Sequence, residues 1–450
     1  MRWSAIALAG LGALAGTAGA PLRAETGHDG LTVTGTIRLR LDAIDGQARA
    51  GANSHDVLYE SRTQIRAAWQ RDWLHLAGEL HDSRVGGANP GTPLGTGEVN
   101  TLEPVIAYVQ ADLGPVFGPG STASVQAGRL GLSLGSRRLV AIDDYRNTIT
   151  AFTGLRGDIA TPSGIKATVF YALPLLRLPD DGPGLRANRF ALDKESFDTV
   201  LWGGFLAQQR KGSPLLREIA FLHLGERDAP GRPSRDRSLD TLSLRLVREP
   251  RPGAVEWGLE GIYQWGSIST TAAAGAPRQS VSASFVRAHV GYSFTGPWQP
   301  HVQLEFDRAS GDGPGGSYGR FDTLYGMRRA DLAPAGLYNA IVRSNVVSPG
   351  IRVEVTPSKR VDAFLGYRAL WLADRRDAFS STGVRDVSGA SGTWAGHQFD
   401  GRIRWWLVPQ RWRFEITTVL LAKGRFLRTA PNAPPGATTR YGSLNLTLSF

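Results

Sequence analysis

The chain has 450 residues, no cysteine and a net charge of +11. The missing cysteines exclude a disulfide framework and a thiolate metal site. The basic excess calls for anionic partners, but the basic residues are scattered singly, with no clustered arm or recognition helix, so nucleic acid is not among them.

The first residues read as a secretory signal. Arg2 supplies the charge, Ile6–Ala15 the apolar run, and Ala18-Gly19-Ala20 a small-residue cleavage pattern. Pro21 disfavours cleavage directly after Ala20, so Leu22-Arg23-Ala24 is a second site. Residues 1–24 are therefore expected to be removed, leaving 25–450 as one unit. Taking away Arg2 and Arg23, and no acid, lowers the charge from +11 to +9. No later stretch holds 18 consecutive apolar residues, so no helix spans a membrane.

Alternating strands begin at Leu31–Asp42, where Leu31, Val33, Ile37, Leu39 and Leu41 oppose Thr32, Thr34, Thr36, Arg38, Arg40 and Asp42. Val57–Gln70 follows, with Tyr59, Ile65 and Trp69 on one face and Glu60, Arg62, Gln64 and Arg66 on the other. Only Arg71-Asp72 separates it from Trp73–Asp82, which is hairpin spacing. Short connections recur near Gly114–Gly120, Pro162–Gly164, Arg210–Pro214, Arg248–Gly253, Thr295–Gln299, Pro357–Arg360 and Pro409–Arg411. Between them lie longer polar segments near Ala43–Asp56, Ser83–Asn100, Gly131–Asn147, Pro174–Ser196, Gly225–Asp236, Gly266–Gln279, Ser310–Ser348, Ala373–Thr393 and Arg425–Ala437. Thr101–Leu113 and Thr199–Gln208 alternate poorly. The last strand, Tyr441–Phe450, carries Leu444, Leu446, Leu448 and Phe450 on one face and ends on the aromatic ring.

Short turns alternating with long loops predict an all-β fold: a transmembrane antiparallel β-barrel of about 18 strands, with short periplasmic turns and long extracellular loops. Trp257, Tyr263, Trp265, Tyr292, Trp298, Trp405, Trp412 and Tyr441 fall near strand ends, where aromatic girdles sit. The polar face then lines a lumen. Its basic residues are Arg38, Arg40, Arg62, Arg66, Arg245, Arg287, Arg402, Arg404 and Arg413. Its acids are Asp42, Glu60, Glu79, Glu256, Glu260, Glu305, Asp307, Asp400 and Glu415. Such a lumen is mixed in sign, and neighbouring strands can tie these charges into braces. Arg129, Arg137, Arg138 and Arg146 tilt the balance positive. Guanidinium binds carboxylates through parallel hydrogen bonds, so a ring of them favours anions; lipopolysaccharide phosphates are the competing ligand for exposed ones.

Residues 127–148 read Ala-Gly-Arg-Leu-Gly-Leu-Ser-Leu-Gly-Ser-Arg-Arg-Leu-Val-Ala-Ile-Asp-Asp-Tyr-Arg-Asn-Thr. This stretch resembles a block of the alginate-export family of outer-membrane porins. Gly128, Arg129, Gly135, Arg138, Leu139 and Asn147 match it, while Leu130 and Tyr145 stand where Gln and Trp are usual. Phe306–Asp312 with Phe321–Tyr325, and Gly396–Asp400 with Gln398 in place of Glu, are similar to two further blocks. The resemblance implies an 18-stranded monomeric barrel with an arginine-rich constriction that passes an anionic uronate polymer. It carries Arg129 and Arg138 over as constriction residues.

Other motifs lack their context. Gly131-Leu132-Ser133-Leu134-Gly135 matches a hydrolase elbow, but no helical pattern follows it. Gly311, Gly313 and Gly316 satisfy a nucleotide-loop spacing interrupted by Pro314. The eight histidines show no ligand spacing, and Asp307 and Asp312 are weak calcium candidates. The reading is a channel, not an enzyme, with no cofactor. It would carry an anionic poly- or oligosaccharide in an outer membrane, amid lipid and lipopolysaccharide and with possible periplasmic export machinery. A small-anion porin and a barrel hydrolase are the alternatives.

Overall fold

The computed structural model describes residues 30–229, 231–327 and 331–450. The expected signal sequence at 1–24 lies outside the described residues. The strands are β1 (Gly30–Asp45), β2 (His55–Arg71), β3 (Leu74–Gly86), β4 (Asn100–Asp112), β5 (Thr122–Leu130), β6 (Phe152–Ala160), β7 (Ile165–Pro174), β8 (Thr199–Gln208), β9 (Leu215–Glu226), β10 (Ser238–Arg248), β11 (Ala254–Ser269), β12 (Arg278–Ser293), β13 (His301–Ala309), β14 (Ser317–Tyr318), β15 (Val346–Ser358), β16 (Val361–Trp371), β17 (Trp394–Val408), β18 (Trp412–Lys423) and β19 (Thr438–Ser449). The helices α1 (Gly182–Arg186) and α2 (Arg425–Thr429) are single turns.

Consecutive wall strands pair antiparallel, and β1 pairs with β19 from Thr36 opposite Ser449 to Asp45 opposite Arg440. The sheet therefore closes on itself as an 18-stranded barrel. The two-residue β14 adds in parallel to the upper edge of β12. Closure leaves no long unpaired edge, which is the condition for a sheet to sit in lipid. Phe450 completes the seam: Gly35 donates its N–H to the Phe450 carbonyl at 2.8 Å, and Phe450 returns one to Gly35 at 3.0 Å. The ring lies over Gly35, where a Cβ would come within 2.5 Å of it.

The two faces separate as the alternation requires. Leu31, Val33 and Leu39 are exposed on the lipid side, whereas Arg38, Arg40 and Asp42 are buried on the other. All eight predicted short turns and all nine longer loops stand between wall strands as expected. One girdle residue differs. Tyr441 faces inward and donates to Asp42 Oδ2 at 2.9 Å, because it shares the polar face of β19. The poor alternation of 101–113 also has a cause. Glu79 opposes Ile106 and Leu80 opposes Pro104, so Val105 is an extra residue and both Val105 and Ile106 turn inward.

Two long segments fold into the barrel. Residues 131–151 and 310–345 meet at a bridge between Val140 and Tyr325. Leu132, Val140, Leu337, Tyr338 and Ile341 are buried there with the wall residues Phe152, Leu201, Leu222 and Phe285. The apolar core of this protein thus lies inside the barrel, in its long-loop half.

Candidate functional site

The wall arginines that alternation aims inward hold the first segment in place. Arg38 donates to the Asp144 and Arg146 carbonyls at 3.0 and 2.6 Å, and Arg62 to the same two carbonyls at 2.9 and 3.1 Å. Arg62 also pairs with Asp144 Oδ1 at 2.7 Å. Arg40 bridges Glu60 at 2.9 Å and the Tyr145 carbonyl at 2.6 Å, with its guanidinium over the Tyr145 ring. Asn147 Nδ2 donates to the carbonyls of Ser61, Arg84 and Glu98. Backbone carbonyls that would otherwise be buried without donors are satisfied this way.

A second cluster joins both segments to the opposite wall. Arg138 clamps Asp331 through two bonds of 2.6 and 2.7 Å and also bonds Glu260. Arg287 pairs with Glu305 at 2.5 Å and Asp307 at 2.8 Å. Arg368 pairs with the same two acids at 2.6 and 3.0 Å and donates to the Asp331 carbonyl at 2.5 Å. Arg343 reaches Asp331 at 3.4 Å. Four arginines thus meet four carboxylates, and the cluster is neutral. Burial alone would raise the Asp331 carboxyl, but Arg138 and Arg287 outweigh it and hold that group well below the usual range.

The remaining lumen charges brace neighbouring strands. Arg66 pairs with Glu79 at 3.4 Å and donates to the Tyr108 hydroxyl. Arg245 pairs with Glu218 at 2.6 Å. Arg402 and Arg404 share Asp362 at 3.1 and 2.7 Å. Arg352 lies 3.5 Å above the Phe364 ring and Arg402 5.1 Å from it. Gln398 donates to the Leu332 carbonyl at 2.8 Å and accepts from Tyr338 at 2.8 Å, with Asp400 one step along the same face. Glu256 holds His301 at 2.9 Å, and Arg413 stacks near Trp406.

Arg137 differs from these. It sits at a positive φ of 61° in the inward segment, and among the described residues its guanidinium has no hydrogen-bond or ion-pair partner. Burial lowers its pKa against the pull of the Asp331 carboxylate, and Arg138 adds to the lowering. Leu134, Gly135, Ser136, Leu139 and Val140 line a small cavity against the lumen faces of β8 to β11, bordered by Phe205, Glu218, Ser243 and Arg245.

Arg129 lies elsewhere. It opposes Ala107, on the face that β4 turns outward, and its guanidinium bonds Glu103, Glu195 and the carbonyls of Pro104 and Asp193. It staples the wall and does not join the Arg138 cluster. Asp307 and Asp312 do not come together either: Asp307 is taken by Arg287 and Arg368, and Asp312 accepts from Gly319 N in its own loop. No group of three or more metal-ligating side chains occurs among the described residues. Ser133 accepts from Ile142 N in an irregular segment, without the strand–turn–helix of a nucleophile elbow. Alternation did not reveal Asp331, Arg343 or Arg368, because the first two sit in an irregular loop and the third is a lone arginine in an apolar run.

A family model described as alginate export matches residues 30–437. No curated protein matches the chain. Among solved structures, Pseudomonas aeruginosa OccK8 (OprE) is similar with a TM-score of 0.56 and 11% identity, covering 93% of this chain and 98% of that one. P. aeruginosa OccK2 (OpdF) in complex with glucuronate gives 0.55 and 11%, with the same shares of 93% and 98%. Acinetobacter baumannii OccAB1 gives 0.58 and 9%, covering 93% and 96%. At these identities the likeness shows the fold alone.

Proposed function

This chain belongs to the alginate export family of the bacterial outer membrane, and from that membership we propose that it is a channel for uronate-bearing sugars. The observation that supports it is Arg137, whose guanidinium has no partner among the described residues, whereas Arg138, Arg287, Arg368, Arg402 and Arg404 are each paired with a carboxylate. A carboxylate that reaches Arg137 would gain two charge-assisted bonds from its guanidinium. The paired acids nearby keep the contact weak enough to release, as conduction requires. Arg138 and the wall arginines Arg38, Arg40, Arg62, Arg66, Arg287, Arg402 and Arg404 act with Glu60 and Asp400 by fixing the shape of the path around that contact.

A small-anion channel is the second reading. The two infolded segments narrow the lumen, which favours short acidic sugars over a polymer while they stay in place. Planar-bilayer conductance separates the readings. Glucuronate oligomers should block the current at lower concentration than the monomer, and Arg137→Gln should weaken that block about tenfold or more. Equal block by monomer and oligomer would leave the small-anion channel, and no block by either would overturn both readings.

A further inference from the structure

The barrel wall carries a lateral notch. Strands β5 and β6 have only nine residues each, whereas β4 has thirteen. The last ladder pair between β4 and β5 is Ala107 with Arg129. Residues 100–106 of β4 therefore rise above their neighbour, because the chain leaves the wall at Gly131 to fold inward. The loop between β7 and β8 returns to cover the gap. Lys194 bridges Leu176, Asp193 accepts from Asn100 Nδ2 and Leu178 N at 2.9 Å each, and Asp193 N donates to Glu103 at 2.9 Å. Asn188 gives and takes a bond with the Val85 backbone, both 2.8 Å, and so replaces the strand partner that β4 no longer supplies. Arg129 ties the patch to its floor.

The outer surface of this patch is apolar, with exposed cations beside the rings. Phe190, Leu192 and Phe197 are exposed at 56%, 51% and 67%, and Leu102 at 47% flanks them on β4. Asp193 and Leu185 point inward beneath them. Arg186 and Lys194 are exposed, and Arg189 is exposed with Asp181 beside it. On the adjoining wall Arg84 is paired with Asp82; of the acids in this stretch Asp181 is held by Arg189 and Glu195 by Arg129, Asp198 accepts from Ser196, and Asp180 is exposed. The patch continues the lipid-facing belt, of which Leu80 below it is part, up to the level where these charges begin. Exposed rings and cations at that level fit an acyl chain joined to a phosphorylated headgroup.

We propose that the 186–197 patch is a binding site for a phosphorylated, acylated glycolipid of the outer leaflet, a lipopolysaccharide molecule. Its acyl chains lie on Phe190, Leu192 and Leu102, and its phosphates on Arg186, Arg189 and Lys194. The bound lipid then covers a place where a loop, not a strand, separates lumen from bilayer.

The cysteine-free chain permits a clean test. An environment-sensitive fluorophore on Leu192→Cys of the full chain is titrated with lipid A, and in a second arm with phosphatidylglycerol. A saturable blue shift with lipid A at concentrations about tenfold below those for phosphatidylglycerol is expected. Arg186→Gln, Arg189→Gln and Lys194→Gln together should weaken lipid A binding about tenfold or more without changing the melting temperature. A label that stays in water, equal response to the two lipids, or unchanged binding by the triple variant would each overturn the site. Folding of the variants is checked by melting, and a labelled Ser443→Cys in the lumen gives the response expected without lipid contact.

Discussion

Asp331 ties one infolded segment to the other through Arg138. It receives Arg138 through two bonds and lies within reach of Arg343 and Arg287. Removing one member of a buried, multiply bonded ion cluster leaves the others unpaired, which costs about 3–5 kcal/mol. Asp331→Asn should therefore loosen the 331–345 segment, seen as faster amide exchange at Leu337 and Tyr338 and a larger single-channel current. Unchanged exchange would show that the apolar contacts of that segment suffice. Asp193 gives a pH dependence. Burial pushes its carboxyl from 3.8 to about 6. The folded patch then binds the proton more tightly than the unfolded chain, so its stability falls as pH rises through the window between those values. Amide exchange in 188–195, corrected for intrinsic rates, should slow on moving from pH 7 to pH 5, by a factor of the order of ten. A faster corrected rate at pH 5 would contradict this sign.

At the scale of elements, the closing strand and the inward segment each depend on one contact type. Phe450 covers Gly35, and a side chain there would strike its ring. Gly35→Val should slow barrel closure and lower the melting temperature, and Gly35→Val with Phe450→Ala should recover part of the loss. Arg62→Gln removes donors to two carbonyls and a carboxylate of 144–146. It should raise exchange at Tyr145 and Asn147, while the β2–β3 ladder stays protected. The turns, the loops and the inward face of Arg38, Arg40 and Arg62 were legible because a strand has period 2 and turns have composition. Arg129 was not, because the Gly128 kink and the notch above it are tertiary features, and its family block gives no face. Nor could alternation show that Arg38, Arg40 and Arg62 would serve carbonyls of a loop 82 to 108 residues later in the chain.

For the molecule as a whole, closure decides everything else. A sealed antiparallel wall satisfies the backbone in lipid, turns leucines and aromatics outward, and gathers charge inside, where bonds between charges set the shape of a path. The glycolipid patch lies where the β4–β5 ladder stops short, and Phe450 fastens the β1–β19 seam. The path itself is tested by flux. Purified protein in liposomes should admit a labelled uronate oligosaccharide faster than a neutral oligosaccharide of equal length, and high salt should shrink the difference. Equal rates for the two, or faster entry of the neutral sugar, would contradict a channel that selects acidic cargo.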